Sequence, residues 1–214
     1  MSESHGGAGS GPRVGAILLA AGQGSRFEGE NKLLAPVDGE PIIRHAAATV
    51  RVSDIDEITA IVGHDADAVR GALGDLPLSV RSNPDYATGQ STSVREGVRV
   101  ARKQGWDGTL FALGDMPFIS PASIDTLVDR FVTSAATIIA PTYDGTRGNP
   151  VVFDQTHYET LADVTGDIGG RQLVENHPET VLLEIDDPGV VQDIDTVDDL
   201  PEYSDLHVSS SRRT

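Results

Sequence analysis

The chain has 214 residues, no cysteine, and 16 basic against 33 acidic residues, which give a formal net charge of −17. The missing cysteines exclude disulfides and thiolate metal sites, and the negative charge makes nucleic acid and anionic membranes unfavourable partners. No apolar run approaches the roughly 20 residues that a membrane-spanning helix needs, so the sequence predicts a cytoplasmic protein.

Lysine is scarce in this chain, which contains only Lys32 and Lys103. An acidic, lysine-poor composition is typical of halophilic proteins, in which high salt screens the repulsion between surface charges. We therefore expect adaptation to salt. A lysine close to a glycine-rich loop is also less easily explained as a surface residue in such a chain.

Short apolar segments rich in β-branched residues alternate with longer amphipathic segments along the chain. Strands are predicted at 14–20, 57–63, 78–82, 108–114, 136–141, 149–153 and 180–185. Helices are predicted at 41–50, 65–73, 93–104, 120–132 and 169–177. This alternation indicates a three-layer α/β/α fold with a mostly parallel, Rossmann-like sheet. We expect one domain over 13–202, with a disordered leader at 1–12 and a disordered tail at 203–214.

The loop after the first predicted strand contains Gly22 and Gly24, followed by Arg26 and Lys32. It is a poor dinucleotide fingerprint, because Phe27 replaces the third glycine and no acidic residue ends a second strand about 20 residues later. It also lacks the Gly-Lys-Ser/Thr of a Walker loop. A flexible turn followed by two cations suits a triphosphate, although it could also be a structural turn with cations facing solvent.

Acidic residues follow two later segments. Asp115 lies in the turn "GDMP" at the end of the predicted strand 108–114, where it could bind Mg²⁺ beside a phosphate loop or merely shape the turn. Asp193 and Asp195 lie at a predicted strand end. We expect at most one of the two to face the active cleft, unless the strand has already ended.

Taken in order and spacing, "LLAAGQGSRFEGENK", "GDMP" and "DIDTVDDL" resemble the nucleotidyltransferase superfamily over roughly residues 14–200. The segments "NPDYATGQSTSVREGV", "GTRGNPVVF" and "TGDIGGRQL" are similar to one branch, the molybdenum cofactor cytidylyltransferases of the MobA-like NTP transferase superfamily. The resemblance implies a sheet of the nucleotide-diphospho-sugar transferase type.

The resemblance also implies roles for particular residues. The nucleotide would lie against Leu19, Ala20, Ala21, Gly22, Gly24, Gln90 and Ser91. Arg26 would hold the β- and γ-phosphates, Lys32 would stabilise charge at the α-phosphate, and Asp115 would bind Mg²⁺ with Asp193 or Asp195. The phosphorylated co-substrate would lie towards Arg147, Asn149, Asp167 and Arg171.

The implied reaction transfers CMP from CTP to the terminal phosphate of molybdopterin and releases pyrophosphate. Ala21 stands where relatives that transfer GMP have glycine, which favours a pyrimidine nucleotide. Asn149 stands where the cytidylyltransferase pattern often has histidine, which is a departure on the acceptor side of the pattern. Transfer of GMP, a sugar-phosphate or alcohol-phosphate acceptor, and a non-catalytic maturation factor are the alternatives. The resemblance also implies a molybdoenzyme or a maturation factor as a protein partner.

Overall fold

The computed structural model describes residues 11–22, 31–55, 57–166 and 170–195. The predicted tail and most of the predicted leader lie outside these ranges. In chain order the elements are β1 (Val14–Ala20), β2 (Pro36–Val37), β3 (Glu40–Pro41), α1 (Ile42–Val52), β4 (Glu57–Val62), α2 (Ala66–Leu73), β5 (Ser79–Ser82) and α3 (Gln90–Gln104). They continue with β6 (Gly108–Leu113), α4 (Pro121–Thr133), β7 (Ile138–Tyr143), β8 (Thr146–Arg147), β9 (Val151–Asp154), α5 (Tyr158–Asp163), α6 (Arg171–Asn176) and β10 (Thr180–Glu184).

The main sheet has the strand order β10-β7-β9-β6-β1-β4-β5, with β8 paired to β7. The pairs of β1 with β4 and β6, of β4 with β5, and of β7 with β10 are parallel. Only β8 and β9 pair in the antiparallel direction in this described sheet. The predicted α/β class with a mostly parallel sheet is therefore confirmed.

Two apolar layers cover the faces of this sheet. Along β1, Leu18 packs in one core with Ile43 of α1 and Leu127 of α4. Its neighbour Ile17 packs in the other core, which includes Val98 of α3. Successive side chains of a strand point to opposite faces, so both faces of this central strand are buried between helices. The three-layer arrangement follows directly.

Some element boundaries differ from those predicted. α3 begins at Gln90 rather than at 93. It follows directly after Gly89, which has a φ of 125° and ends the preceding turn. α6 is shorter than the predicted 169–177. The helix α5 was not predicted.

No helix in the described parts of the chain is both long and apolar enough to cross a membrane.

The buried His157 makes the stability of this fold sensitive to acid. Its side chain packs edge-on against the His177 ring, with the centroids 4.7 Å apart. Burial, and then the nearby His177, lower the pKa of His157 below 6.5. The unfolded chain therefore binds a proton here more readily, and the free energy of unfolding should fall as the pH drops from about 6.5 through the lowered folded-state pKa.

We expect the substitution His157→Phe to reduce this acid sensitivity, because the phenyl ring keeps the packing and cannot bind a proton. The measurement is urea unfolding at pH 7.5 and at pH 5.5 for both proteins. The variant should lose less stability between the two pH values than the original chain. An equal loss in both proteins would mean that other groups cause the acid sensitivity.

Candidate active site

The carboxyl ends of β1 and β6 lie side by side and bring two predicted site segments together. Leu19 of β1 is in register with Leu113 of β6, and the Gly114 amide donates to the Leu19 carbonyl at 2.9 Å. A Cβ on Gly114 would lie 2.7 Å from Ile43 Cδ1 and 3.0 Å from the Leu19 carbonyl oxygen, so glycine permits this close approach without a shift of its neighbours. The turn consequently places Asp115 next to the loop that follows β1.

Three carboxylates converge at this turn. The Ile194 amide donates to the Asp115 carbonyl at 3.0 Å and attaches the segment 193–195 to the turn. Asp115, Asp193 and Asp195 each offer an oxygen within 4.8 Å of the other two. Both Asp193 and Asp195 join Asp115, so the expectation that at most one of them faces the cleft is wrong. Residues 192–195 follow a short helical turn and form no strand, and residues two positions apart would share one face even of a strand.

Lys32 lies within this carboxylate cluster. The side chain of Asn31 accepts from the Leu33 amide at 3.1 Å and begins the short helical turn that carries the lysine. Lys32 Nζ lies 2.7 Å from Asp115 Oδ2 and 3.0 Å from Asp195 Oδ1. Burial would lower the pKa of Lys32, but the charges and hydrogen bonds of the two aspartates outweigh it and raise the pKa. The ammonium is therefore cationic at neutral pH.

The cluster fits a divalent cation. Desolvation, followed by the like charges of Asp115 and Asp195, raises the pKa of Asp193, while Lys32 opposes this effect. Crowded carboxylates of this kind gain from a further positive charge, and carboxylate oxygens are the ligands that hard cations such as Mg²⁺ and Mn²⁺ prefer. The single ammonium does not match the charge of the three aspartates when all are ionised. A metal-binding role suits their donor chemistry and spacing.

A cavity of about 340 Å³ opens directly beside the cluster. We call it the nucleotide cavity, after the ligand that the sequence predicts for its residues; its walls include Ala21 and Gly22 from the loop after β1, and Lys32 and Asp115 from the cluster. The opposite wall comes from Tyr86, Ala87 and the start of α3, with Gly89, Gln90 and Ser93. Its dimensions and polar walls suit part of a small polar ligand.

The structure brings many, but not all, of the predicted nucleotide-binding residues to this cavity. Leu19, Ala21, Gly22 and Gln90 line it. Ala20 and Ser91 are each only 1% exposed and do not line it. Residues three apart share a helix face, so Ser93 rather than Ser91 accompanies Gln90. Gly24, Arg26 and Asp167 lie outside the described residues, and their roles stay predictions.

A second cavity of about 390 Å³ adjoins the first and shares Leu19, Gln90 and Leu113 with it. We call it the acceptor cavity, after the co-substrate that the sequence predicts for its residues. Its floor is apolar and includes Phe111 and Phe153, while Arg147, Asn149 and Arg171 lie on its walls. The structure thus brings together the described residues that were predicted for the co-substrate side.

Close backbone packing positions this polar wall. The amide of Gly148 donates to the Pro141 carbonyl at 2.8 Å, and the amide of Asn149 donates to the Val190 carbonyl at 2.8 Å. A Cβ on Gly148 would lie 2.1 Å from the Val190 oxygen, so only glycine fits there. These hydrogen bonds and the close packing of Gly148 consequently fix the backbone that carries Arg147 and Asn149.

Two guanidinium groups, those of Arg147 and Arg171, lie at the acceptor cavity. Burial, and then the charge of Arg171, lower the pKa of Arg147, against a weaker opposite effect of Glu175. Arg171 forms an ion pair with Glu175 at 2.6 Å, whereas no carboxylate of the described ranges forms one with Arg147. Arginine stays charged in proteins, so this half-buried cation suits an anionic ligand.

Residues 16–181 match the family described as the MobA-like NTP transferase domain. Two curated relatives extend over most of the chain. The purine catabolism protein PucB of Bacillus subtilis is 30% identical and covers 91% of this chain and 96% of its own length. The nicotine blue oxidoreductase of Paenarthrobacter nicotinovorans is 29% identical and covers 88% of this chain and 95% of its own length.

Solved structures agree with this assignment. A nucleotidyl transferase from Methanothermobacter thermautotroptrophicus is 25% identical, with a TM-score of 0.79, and covers 92% of this chain and 99% of that one. The protein Rv0371c of Mycobacterium tuberculosis, solved as a complex with manganese, is 26% identical, with a TM-score of 0.76, over 89% of this chain and 97% of that one. The chain therefore belongs to the MobA-like NTP transferase family and is a nucleotidyltransferase.

Proposed function

We propose that this enzyme transfers CMP from CTP to the terminal phosphate of molybdopterin, with Mg²⁺ as its metal ion. One observation carries the proposal: the nucleotide cavity and the acceptor cavity adjoin through Leu19, Gln90 and Leu113. The first contains Lys32 and Asp115, and the second contains two arginines. Two substrates bound side by side in this way meet near the shared wall, as a group transfer requires.

Lys32 acts on the nucleotide side of this wall. Its ammonium would neutralise charge that develops on the α-phosphate, and Arg26 would hold the β- and γ-phosphates. Asp115 and Asp195 hold Lys32 Nζ at 2.7 and 3.0 Å, so the cation is positioned before the nucleotide binds. Preorganised charge of this kind lowers the barrier because little rearrangement is needed during the reaction.

The three aspartates would hold the metal ion, whose chemistry is to neutralise charge on the phosphate oxygens. Their oxygens lie within 4.8 Å of one another, and the manganese complex of Rv0371c supports metal binding in a related protein. We propose Mg²⁺ as this ion because Mg²⁺ usually binds one or two carboxylates together with substrate phosphates.

The acceptor cavity suits a flat ring that carries an anionic group. Phe111, Phe153 and Leu161 offer apolar contact for the ring, while Arg147 and Arg171 offer guanidinium groups for a phosphate. In the reaction, an oxygen of the acceptor phosphate forms a bond to the α-phosphorus of CTP. The bond from that phosphorus to the bridging oxygen breaks, and pyrophosphate leaves with the electron pair. A phosphate is already deprotonated near neutral pH, so no general base is required.

The deciding experiment measures pyrophosphate release with purified molybdopterin-type cofactor, Mg²⁺ and each of the four nucleoside triphosphates, at low and at high salt. The proposal expects CTP to give the highest kcat/KM. A preference for GTP would support a guanylyltransferase instead, and turnover only with a sugar or alcohol phosphate would change the acceptor. Nucleotide binding without turnover under any of these conditions would indicate a maturation factor.

The name of the Paenarthrobacter relative raises oxidoreduction as a second candidate. Its 29% identity extends over 95% of that protein, so the whole domain is shared. The carboxylate cluster with Lys32 is better suited to phosphate chemistry than to hydride transfer, since it supplies charges rather than a site for a nicotinamide ring. Oxidation of NADH or NADPH by the enzyme in the presence of nicotine blue would favour the second candidate.

Arg147 tests the acceptor side separately from the nucleotide side. We expect Arg147→Ala to raise the KM for the phosphorylated acceptor by about 10- to 100-fold, the usual value of hydrogen bonds to a charged group. The Kd for CTP should stay within about twofold, because Arg147 does not line the nucleotide cavity. Arg102→Ala, at an exposed position of α3, is the matched control and should change neither constant. A large rise in the Kd for CTP would disprove the separation of the two cavities.

A further inference from the structure

Asn83 is a buried polar residue behind the wall of the nucleotide cavity. It is 2% exposed, and its backbone amide donates to the Val62 carbonyl at the end of β4 at 2.7 Å. Its side-chain Nδ2 donates to Thr92 Oγ1 at 2.8 Å and to Ser93 Oγ at 2.9 Å. Its Oδ1 accepts from the Asp85 amide at 3.0 Å. The side chain therefore links the end of the sheet to the first turn of α3.

These contacts determine which way the Asn83 amide faces. A backbone amide can only donate, so the oxygen of the Asn83 side chain must face Asp85 and the nitrogen must face the two hydroxyls. Both hydroxyls consequently accept a hydrogen bond from Asn83. Thr92 in turn donates to the carbonyl of Gly89 at 2.8 Å or of Asp85 at 3.2 Å.

The Ser93 hydroxyl differs from that of Thr92 in one respect. It is 4% exposed but lines the nucleotide cavity together with Gln90. Its oxygen accepts from Asn83, and within the described ranges no protein acceptor receives its hydrogen. With one lone pair of this hydroxyl engaged by Asn83, its hydrogen is available to an acceptor atom in the cavity.

We propose that Asn83 is a positioning residue that sets Ser93 as a hydrogen-bond donor to an acceptor atom of the bound nucleoside, such as a pyrimidine carbonyl oxygen. This inference rests on the proposed function, which assigns the cavity to a nucleotide. The Ser93 hydroxyl donates to the nucleoside and so favours a nucleoside with an acceptor atom at that place. Asn83 donates to the same hydroxyl and so leaves its hydrogen for the nucleoside. Neither residue takes part in bond making.

The test uses Asn83→Asp, which keeps the size of the side chain but reverses its polarity. A carboxylate only accepts, so Ser93 must donate to it and can offer only a lone pair to the nucleoside. The probe is CTP with Mg²⁺, and the readout is the Kd from calorimetry. Ser93→Ala should weaken binding by about five- to tenfold, and Asn83→Asp by about tenfold or more.

The double variant Asn83→Asp, Ser93→Ala separates polarity from charge and structure. It should bind CTP no more than about twofold more weakly than Ser93→Ala alone, because no hydroxyl remains to be reversed. The matched control is Thr92→Val, which removes the other partner of Asn83; it should lower the Tm but leave the Kd for CTP within about twofold. The inference would be overturned if Asn83→Asp weakened CTP binding by the same factor in the original chain and in the Ser93→Ala variant. An unchanged Kd for CTP in Ser93→Ala would also overturn it.

This experiment separates the inference from the proposed function. The Kd for CTP requires no acceptor and no turnover, so it reports on Ser93 even if molybdopterin is not the acceptor. Failure of pyrophosphate release with molybdopterin, together with the expected pattern of Kd values, would reject the proposed acceptor and retain the role of Asn83. The reverse result would retain the reaction and reject the role of Asn83.

Discussion

Replacing Lys32 with methionine is expected to lower kcat for nucleotidyl transfer by about 10²- to 10³-fold, the usual cost of removing one preorganised charge from a transition state. The side chain of methionine is similar in length and carries no charge. Lys32 Nζ contacts both Asp115 and Asp195 at 3.0 Å or less, so no other described cation can take its place without moving those carboxylates. The measurement is the initial rate of pyrophosphate release with CTP and acceptor at saturating Mg²⁺.

The chain offers a well-matched control for this variant. Lys103 is the other lysine of the sequence, and it is exposed near the end of α3. Lys103→Met makes the same chemical change far from the cavities and should leave kcat unchanged. Circular dichroism should show that both variants are folded. A Lys32→Met enzyme with a rate within about tenfold of the original would show that the ammonium is not part of the catalytic machinery.

Most elements of the fold could be predicted from local sequence pattern. The strands β1, β4 and β6 are mostly apolar segments that begin at their predicted residues. They are apolar because a central parallel strand is buried on both faces. The strands β2, β3 and β8 have two residues each, too few to show a period. The helix α5 has six residues, and its buried Tyr158 and Leu161 indicate a helix only once the sheet provides a surface.

The residues of the candidate site could be predicted where they belong to motifs at the ends of strands. They could not be predicted where their position depends on how a helix packs. Asp115 and Lys32 are 83 positions apart in the sequence, yet both belong to quoted motifs that a parallel sheet brings to one edge. Ser93 and Tyr86 were missed as cavity residues, since their position depends on the start of α3 at Gln90. The helical period of three to four residues could have identified Ser93, had that start been known.

The second large effect is expected for Asp115→Asn, which removes one carboxylate charge from the proposed metal site and keeps the shape of the side chain. Transfer of CMP should fall by about 10²- to 10³-fold, because the charge that neutralises the phosphates would no longer be held correctly. Asp115 is central to the cluster: it contacts Lys32, and its carbonyl accepts the hydrogen bond that attaches residues 193–195. The backbone contact survives the substitution, so the other two aspartates should stay in place.

Metal binding distinguishes loss of the metal site from loss of the fold. Titration with Mn²⁺, followed by electron paramagnetic resonance, should show a clearly weaker Kd for Asp115→Asn than for the original chain. Asp186→Asn makes the same change at an exposed aspartate and should alter neither the Mn²⁺ affinity nor the rate. Higher Mg²⁺ should partly restore the rate of Asp115→Asn if Asp193 and Asp195 still bind the ion. A variant that binds Mn²⁺ normally but transfers no CMP would mean that Asp115 acts through Lys32, its other contact, rather than through the metal.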